Sequence, residues 1–399
     1  MDTNRSIRLL TYLMFFIFAM TTDAVGVIIP VIIRTFDLSL TQASAFHYGT
    51  MIAIAVSGIG LGFLSDRFGR KAIIILGLGL FAACCFAFVI GSSFTHFLVL
   101  VTLSGLAIGI FKTAAIGLMG DVSRSNVEHT RTMNMAEGFF AVGAIIGPAI
   151  VSYLLNQEVS WIYLYVIAGG FALTLAVIAA RTPYPPTTST EQEKTSLSDT
   201  LAMLKDPYAL GFSLAIALYV VAEAAIYVWM PTYLLDYDGS VPMLATYALS
   251  IFFVCRALGR FIGAYILHKF AWQTVLMLFS GAVALCYVGA MIFGVNAAAV
   301  LLPISGLFMS VLYPTINSKG ISCFRPTQHG AIAGVILFFT AVAAALGPMV
   351  MGILGDMFGQ VFYGFVFTAV CAVTLFALSF VNWWLDPTQS RLAEEQKNL

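Results

Sequence analysis

Twelve continuous apolar stretches, each about twenty residues long, constrain this chain more than any other feature. A stretch of that length with few charges crosses a bilayer as a helix, because a helix satisfies its backbone groups within the segment. A window of about 19 residues places six spans near 9–33, 43–65, 72–93, 97–120, 132–155 and 160–180. Six more fall near 207–234, 243–267, 273–294, 298–322, 329–354 and 360–384. Only 10% of the 399 residues are charged, against about a quarter in a soluble domain, which excludes a soluble enzyme. The formal net charge is zero with no basic run, so no phosphate-neutralising patch for nucleic acid exists. Continuous rather than alternating apolar stretches exclude a β-barrel.

The cysteines and the first span fit that reading. Cys84, Cys85, Cys255, Cys286, Cys323 and Cys371 lie within apolar stretches, where a small buried hydrophobe is the usual role. No spacing suggests disulfides or a metal site. The first apolar run is too long for a signal-peptide core and lacks a small-residue cleavage site, so it is read as a retained span.

Between spans 6 and 7 lies the one long polar segment, Arg181 to Leu204, with Pro183, Pro185 and Pro186 followed by a Thr/Ser/Glu/Lys run. It reads as a linker. The expected organisation is therefore an N-terminal six-helix bundle (1–180), a cytoplasmic linker (181–204) and a C-terminal bundle with a short cytoplasmic tail (205–399). Placing the N-terminus in the cytoplasm puts fourteen basic residues in inside loops and tails and only Arg34 outside. That asymmetry follows the positive-inside rule and predicts both termini on the cytoplasmic face.

The two halves repeat. Pro30 matches Pro231 and Gly105-Leu106 matches Gly306-Leu307, both at a shift of 201. Arg67-Phe68 matches Lys269-Phe270 at 202, and Gly147-Pro148 matches Gly347-Pro348 at 200. The fold class is thus all-α, a polytopic membrane protein with 12 transmembrane helices in two pseudo-symmetric six-helix bundles. A parallel 6+6 repeat predicts a solute site near the midplane that rocking exposes to either side.

The loop between spans 2 and 3 reads Gly62-Phe63-Leu64-Ser65-Asp66-Arg67-Phe68-Gly69-Arg70-Lys71. Gly62 permits close helix approach and Gly69 a tight turn. Asp66 can accept from basic side chains or a helix N-terminus, which with Arg67, Arg70 and Lys71 makes a latch that breaks when the halves rock. The run resembles the cytoplasmic signature of the major facilitator superfamily, G-x-L-x-D-R-x-G-R-K.

Ionisable residues inside a membrane are costly and mark function by default. Here they are Asp23, Lys112, Glu137, Glu223, Arg256, Arg260 and Lys319, on spans 1, 4, 5, 7, 8 and 10. The superfamily resemblance implies that spans 1, 4, 7 and 10 line the cavity and that 3, 6, 9 and 12 face lipid. At a rise of about 1.5 Å per residue, Lys112 and Glu137 reach similar depth and can pair. Asp23 and Glu223 lie deeper, at nearly repeat-related positions. Arg256 can reach Glu223 or a substrate, while Arg260 can meet a carboxylate or a helix end. Lys319 is expected to snorkel. Each acid–base pair also admits a purely structural role.

Asn134 precedes Glu137 by one turn, and Asn317 lies near Pro314 on span 10. Tyr219, Tyr227 and Trp229 populate span 7. Apolar walls with a few polar groups suit a small solute, and aromatic faces suit the C–H faces of sugars.

Gly306-Leu307-Phe308-Met309-Ser310-Val311-Leu312-Tyr313-Pro314-Thr315 is similar to the span-10 signature of the fucose permease-like (fucose–galactose–glucose:proton symporter) family. Gly259-Arg260-Phe261-Ile262-Gly263 and Asn134-Met135-Ala136-Glu137 extend the likeness. It covers nearly the whole chain and implies proton-coupled uptake of a sugar. There are departures. Lys112 stands where the family has a carboxylate, Gly26 stands at the family's span-1 acid, and Glu137 and Glu223 replace glutamines. Two readings follow: coupling moved to Glu223 or Asp23 with Lys112 neutralised by Glu137, or Lys112 and Arg256 binding an acidic sugar.

The expected function is a secondary active transporter of a small polar solute by alternating access, with proton symport. A proton-antiport exporter is the rival, since Gly143-x-x-x-Gly147-Pro148 partly matches an exporter signature. A membrane sensor is a third reading. No catalytic residue, cofactor or metal is expected. The partners are solute, protons and the bilayer, the protein a monomer, and the location a bacterial inner membrane.

Overall fold

The computed structural model describes residues 3–60, 67–123, 126–184, 203–325, 328–389 and 391. Among them eleven helices are long and apolar enough to cross a membrane. The remaining predicted span, span 2, is the 21-residue helix Leu40–Gly60. It carries Thr41, Gln42, Ser44, His47 and Thr50 in its first half, and the apolar residues 61–64 expected to complete it lie outside the described residues.

Three spans differ in detail from the sequence-based expectation. Span 1 is two helices, Thr3–Thr22 and Val25–Phe36, broken at Asp23 and Ala24. Span 8 is the helix Ala248–Lys269, and Pro242 instead opens a separate five-residue helix, Pro242–Thr246. Span 10 divides into Val295–Met309 and Leu312–Ser322. The reason is local: Pro314 lacks the N–H that would bond to the Ser310 carbonyl four residues back.

The chain forms two compact units, Met1–Thr190 and Glu191–Leu399. In the first, the chief helix pairs are spans 1 and 5, 2 and 4, 3 and 4, and 3 and 6. In the second they are 7 and 11, 8 and 10, 9 and 10, and 9 and 12. Each pair is the first set advanced by six, so the sequence repeat is a repeat of packing. Large apolar side chains on spans 3, 6, 9 and 12, among them Leu76, Phe171, Leu285 and Val370, are exposed. Water does not tolerate such faces on four helices at once, whereas lipid does.

Glycines show how the packing is encoded. A Cβ at Gly105 would stand 2.6 Å from the Thr50 carbonyl oxygen, and one at Gly306 would stand 2.6 Å from that of Phe252. Each glycine thus lets one helix lie on its neighbour's backbone, at the same place in each half. Gly143 and Gly147, four residues apart on one face of span 5, do the same against the carbonyls of Phe16 and Met20 on span 1. Their spacing is therefore accounted for by packing. Gly147→Val would force a branched side chain into backbone that cannot move aside. It should cost at least the ~3 kcal/mol at the top of the usual overpacking range, read as lowered thermal stability in detergent.

Candidate functional site

In the first unit the predicted charges converge. Lys112, half-buried on the helix Phe94–Asp121 (span 4), sets its ammonium over three aromatic rings. Its nitrogen lies 4.5 Å from the Phe18 centroid, 5.6 Å from Phe15 and 6.0 Å from Phe140. Ring faces attract a cation, and the attraction strengthens where water is scarce. The charges that act most on Lys112 are Glu137, then Asp23. Asp23 sits at the break in span 1, where Thr22 Oγ1 donates to its Oδ2 at 3.1 Å. A cation and two carboxylates from spans 1, 4 and 5 thus share one locus. Asn134, one turn before Glu137, is exposed on its helix.

In the second unit Glu223 is buried on the helix Pro207–Tyr233, span 7. Its Oε1 receives the Tyr219 hydroxyl at 2.8 Å and Arg256 Nη2 at 2.5 Å. Of the two reaches open to Arg256 on sequence grounds, the structure adopts the one toward Glu223. Tyr219 was legible as a partner, since it lies four residues before Glu223 on one helix face. Tyr287 donates to the Ala222 carbonyl at 2.5 Å beside this pair. Trp229 is buried, and its indole donates to the Pro348 carbonyl at 2.9 Å, tying span 7 to span 11. Asn317 is half-buried on Leu312–Ser322. Arg260 is exposed on span 8, and Lys319 rests 5.9 Å from the Trp272 ring.

The two loci are related by the repeat. Phe18 and Lys112 touch in the first half, and the residues 201 further on, Tyr219 and Tyr313, lie ring to ring at 6.0 Å in the second. One position pair therefore carries a cation on a ring in one half and two phenols in the other. The charge of the second half arrives instead from span 8.

Of the loop motif, Gly62 and Asp66 lie outside the described residues. Gly69 has φ +85°, a backbone favouring glycine, and it opens the helix Arg70–Ala87. Arg70 pairs at 2.7 Å with Asp121 at the end of span 4, in the space that Gly117 leaves open. Lys71 donates to the Thr182 carbonyl after span 6 at 2.8 Å, and Arg67 lies 5.4 Å from the Phe68 ring. The sequence reading missed Asp121, a lone acid at a helix end whose partner lies far off in the chain.

The family model described as Major Facilitator Superfamily matches residues 11–348. Over 402 residues the chain is 26% identical to the L-fucose-proton symporter of Escherichia coli (strain K12), covering 91% of this chain and 90% of the symporter. It is 25% identical over 378 residues to the quinolone resistance protein NorA of Staphylococcus aureus (strain MRSA252), covering 89% and 91% of the two chains. Among solved structures, a bacterial homolog to the human lysosomal transporter Spinster, inward-facing and occupied, has a TM-score of 0.78 at 16% identity, with 96% and 97% covered. At that identity the likeness speaks for the fold alone.

Proposed function

Because this chain belongs to the major facilitator superfamily, and is thus a multi-pass membrane transporter rather than an enzyme, we propose that it takes up a small, sugar-like polar solute together with a proton. The observation that carries this reading is Glu223, whose Oε1 holds both Tyr219 and Arg256. A buried carboxylate exchanges a proton for an ion pair at little net cost only when its partner has something else to bind. Protonation of Glu223 releases Arg256 to a hydroxyl or carboxylate of the solute. Loss of the proton returns Arg256 to Glu223 and expels the solute.

Asp23, Lys112 and Glu137 are proposed as the second charged locus of the path, with Lys112 neutralised by Glu137 and Asp23 an alternative carrier of the proton. Asn134 and Asn317 supply further polar contacts, and Trp229 holds span 7 in place. Gly62, Asp66, Arg67, Gly69, Arg70 and Lys71 form the gate. The reading further has alternating access, a monomer, a bacterial inner membrane and both termini in the cytoplasm. Likeness to the E. coli L-fucose-proton symporter over 91% of this chain supports it.

A proton-antiport exporter is the second reading, favoured by the comparable likeness to NorA. Proteoliposome uptake of a labelled sugar panel, with and without an imposed proton gradient, separates the two. Concentrative uptake driven by an inward proton gradient is expected. Uptake indifferent to the gradient would remove proton coupling, and accumulation driven only by an opposed gradient would establish the exporter.

A further inference from the structure

Two arginines outside the membrane charges make the same kind of contact in the two halves. In the first unit Arg8, on the first helix of span 1, donates to the Val122 carbonyl at 3.0 Å and pairs with Glu128 in the first turn of span 5. Val122 follows the last residue of span 4. The residue 201 further on is Cys323, which follows the last residue of span 10. Its carbonyl also accepts from an arginine, Arg391, at 3.2 Å.

Arg391 comes from elsewhere in the chain. The repeat position of Arg8 is Ala209, which offers no charge. Arg391 instead belongs to the segment after span 12. Asp386, with φ +39°, ends that span and takes Gln273 Nε2 at 3.1 Å from both carboxylate oxygens. The Tyr208 hydroxyl donates to the Pro387 carbonyl at 3.0 Å, and the Thr388 side chain is buried. Arg391 then pairs through Nη2 with Asp206 Oδ2 at 3.1 Å, with its guanidinium 5.3 Å from the Tyr208 ring and 5.4 Å from the Phe324 ring. Asp206 is itself the N-cap of span 7, since its Oδ1 accepts from the Tyr208 amide at 2.8 Å.

The physical logic is shared. The last carbonyls of a helix have no partner within it, and a cation there is favoured by the helix dipole. An arginine with several donors can satisfy such a carbonyl and hold a neighbouring helix at once. We infer that Arg8 and Arg391 are equivalent positioning residues, one clasp per half, that tie span 4 to span 1 and span 10 to span 7 at one end, and that the transport cycle requires both. The segment after span 12 is then a working part of the transporter. This inference rests on transport being the activity, not on the solute or on the proton.

Cys323 provides a readout that does not depend on transport. Its thiol lies just past span 10, is buried, and is pushed up to about 11 by that burial, so at pH 7.5 little reactive thiolate exists. Arg391 by its charge alone lowers the thiol's pKa. Removing that charge without opening the clasp would therefore slow alkylation. For changes at Arg391, acceleration can come only from opening, whereas loss of the Asp206 charge, which raises the thiol's pKa, would accelerate labelling by itself.

The experiment uses the full chain, with N-ethylmaleimide modification of Cys323 followed by peptide mass spectrometry and uptake measured in parallel. Arg391→Ala should label Cys323 at least tenfold faster than the parent and lower the maximal uptake rate several-fold at unchanged KM. Arg391→Lys should lie between, and Arg8→Ala should lower the maximal rate without altering Cys323 labelling. Arg391→Gln loses the charge but keeps a donor and much of the side chain's length, and should accelerate labelling less than Arg391→Ala, so a poorly folding alanine variant does not end the test. Parental or slower labelling in both Arg391→Ala and Arg391→Gln would overturn the clasp. Faster labelling with parental uptake would overturn its role in transport.

Discussion

Glu223→Gln should abolish gradient-driven accumulation while sparing solute exchange down a concentration gradient. A one-proton symporter accumulates solute about tenfold for each pH unit of gradient, since a tenfold ratio corresponds to about 1.4 kcal/mol. In the glutamine variant that ratio should fall to one, and counterflow should persist. The physical reason lies at one oxygen. Glutamine still accepts from the Tyr219 hydroxyl, which donates to Glu223 Oε1 at 2.8 Å, so the local scaffold is kept. It cannot take a proton, and it cannot hold Arg256 as an ion pair. The variant therefore mimics the protonated state permanently, with Arg256 no longer held by a Glu223 carboxylate. Concentrative uptake at the parental level in Glu223→Gln would remove this residue from the coupling path.

Lys112→Met should have the largest effect in the first half. Methionine keeps the length and the contact with the Phe15, Phe18 and Phe140 rings. It leaves Glu137 and Asp23, the two charges that act most on Lys112, without their shared cation. Acids left without a compensating cation inside the membrane are costly, so the variant should melt below the parent in detergent and transport no solute. Lys112→Met combined with Glu137→Gln should recover much of the lost stability. The pair should show a coupling of about 0.5–3 kcal/mol in a double-mutant cycle. Additive losses in the cycle would show that the two residues act apart. Recovery of stability without recovery of uptake would make Lys112 a participant in transport as well as a structural charge.

Much of the fold is legible in the chain because a bilayer leaves few options. A long apolar run must be a helix, and the 201-residue register carries over into packing, so that Gly105 and Gly306 meet equivalent neighbours. Boundaries were legible where one residue sets them, as at Gly69 with its positive φ, and the start of span 7 near 207 coincides with an Asp206 cap that the structure shows. The breaks were less so. Span 10 divides at Ser310 and Val311 because Pro314 withholds a hydrogen bond, a consequence felt four residues before the cause. Span 8 reads as starting near 243 and instead begins at Ala248, after a short helix opened by Pro242.

The candidate site divides in the same way. That Asp23, Lys112, Glu137, Glu223 and Arg256 are the candidates follows from the cost of charge in lipid, which the chain states by itself. Which charge meets which does not follow, because pairing depends on helix rotation and on contacts between residues far apart in sequence. Glu137 acts on Lys112 electrostatically, and the ammonium also lies over the Phe18 ring at 4.5 Å. Arg70 finds Asp121 and Arg391 finds Asp206 across long stretches of chain.

The sequence alone therefore determined the helical membrane fold, the repeat and the set of charges that fall within the spans, since each follows from hydropathy and from periodicity along one chain. Only the tertiary structure decided the partners. Arg256 reaches Glu223, and the arginine at Cys323 comes from beyond span 12, because a side chain's partner is set by which helix faces come together in space.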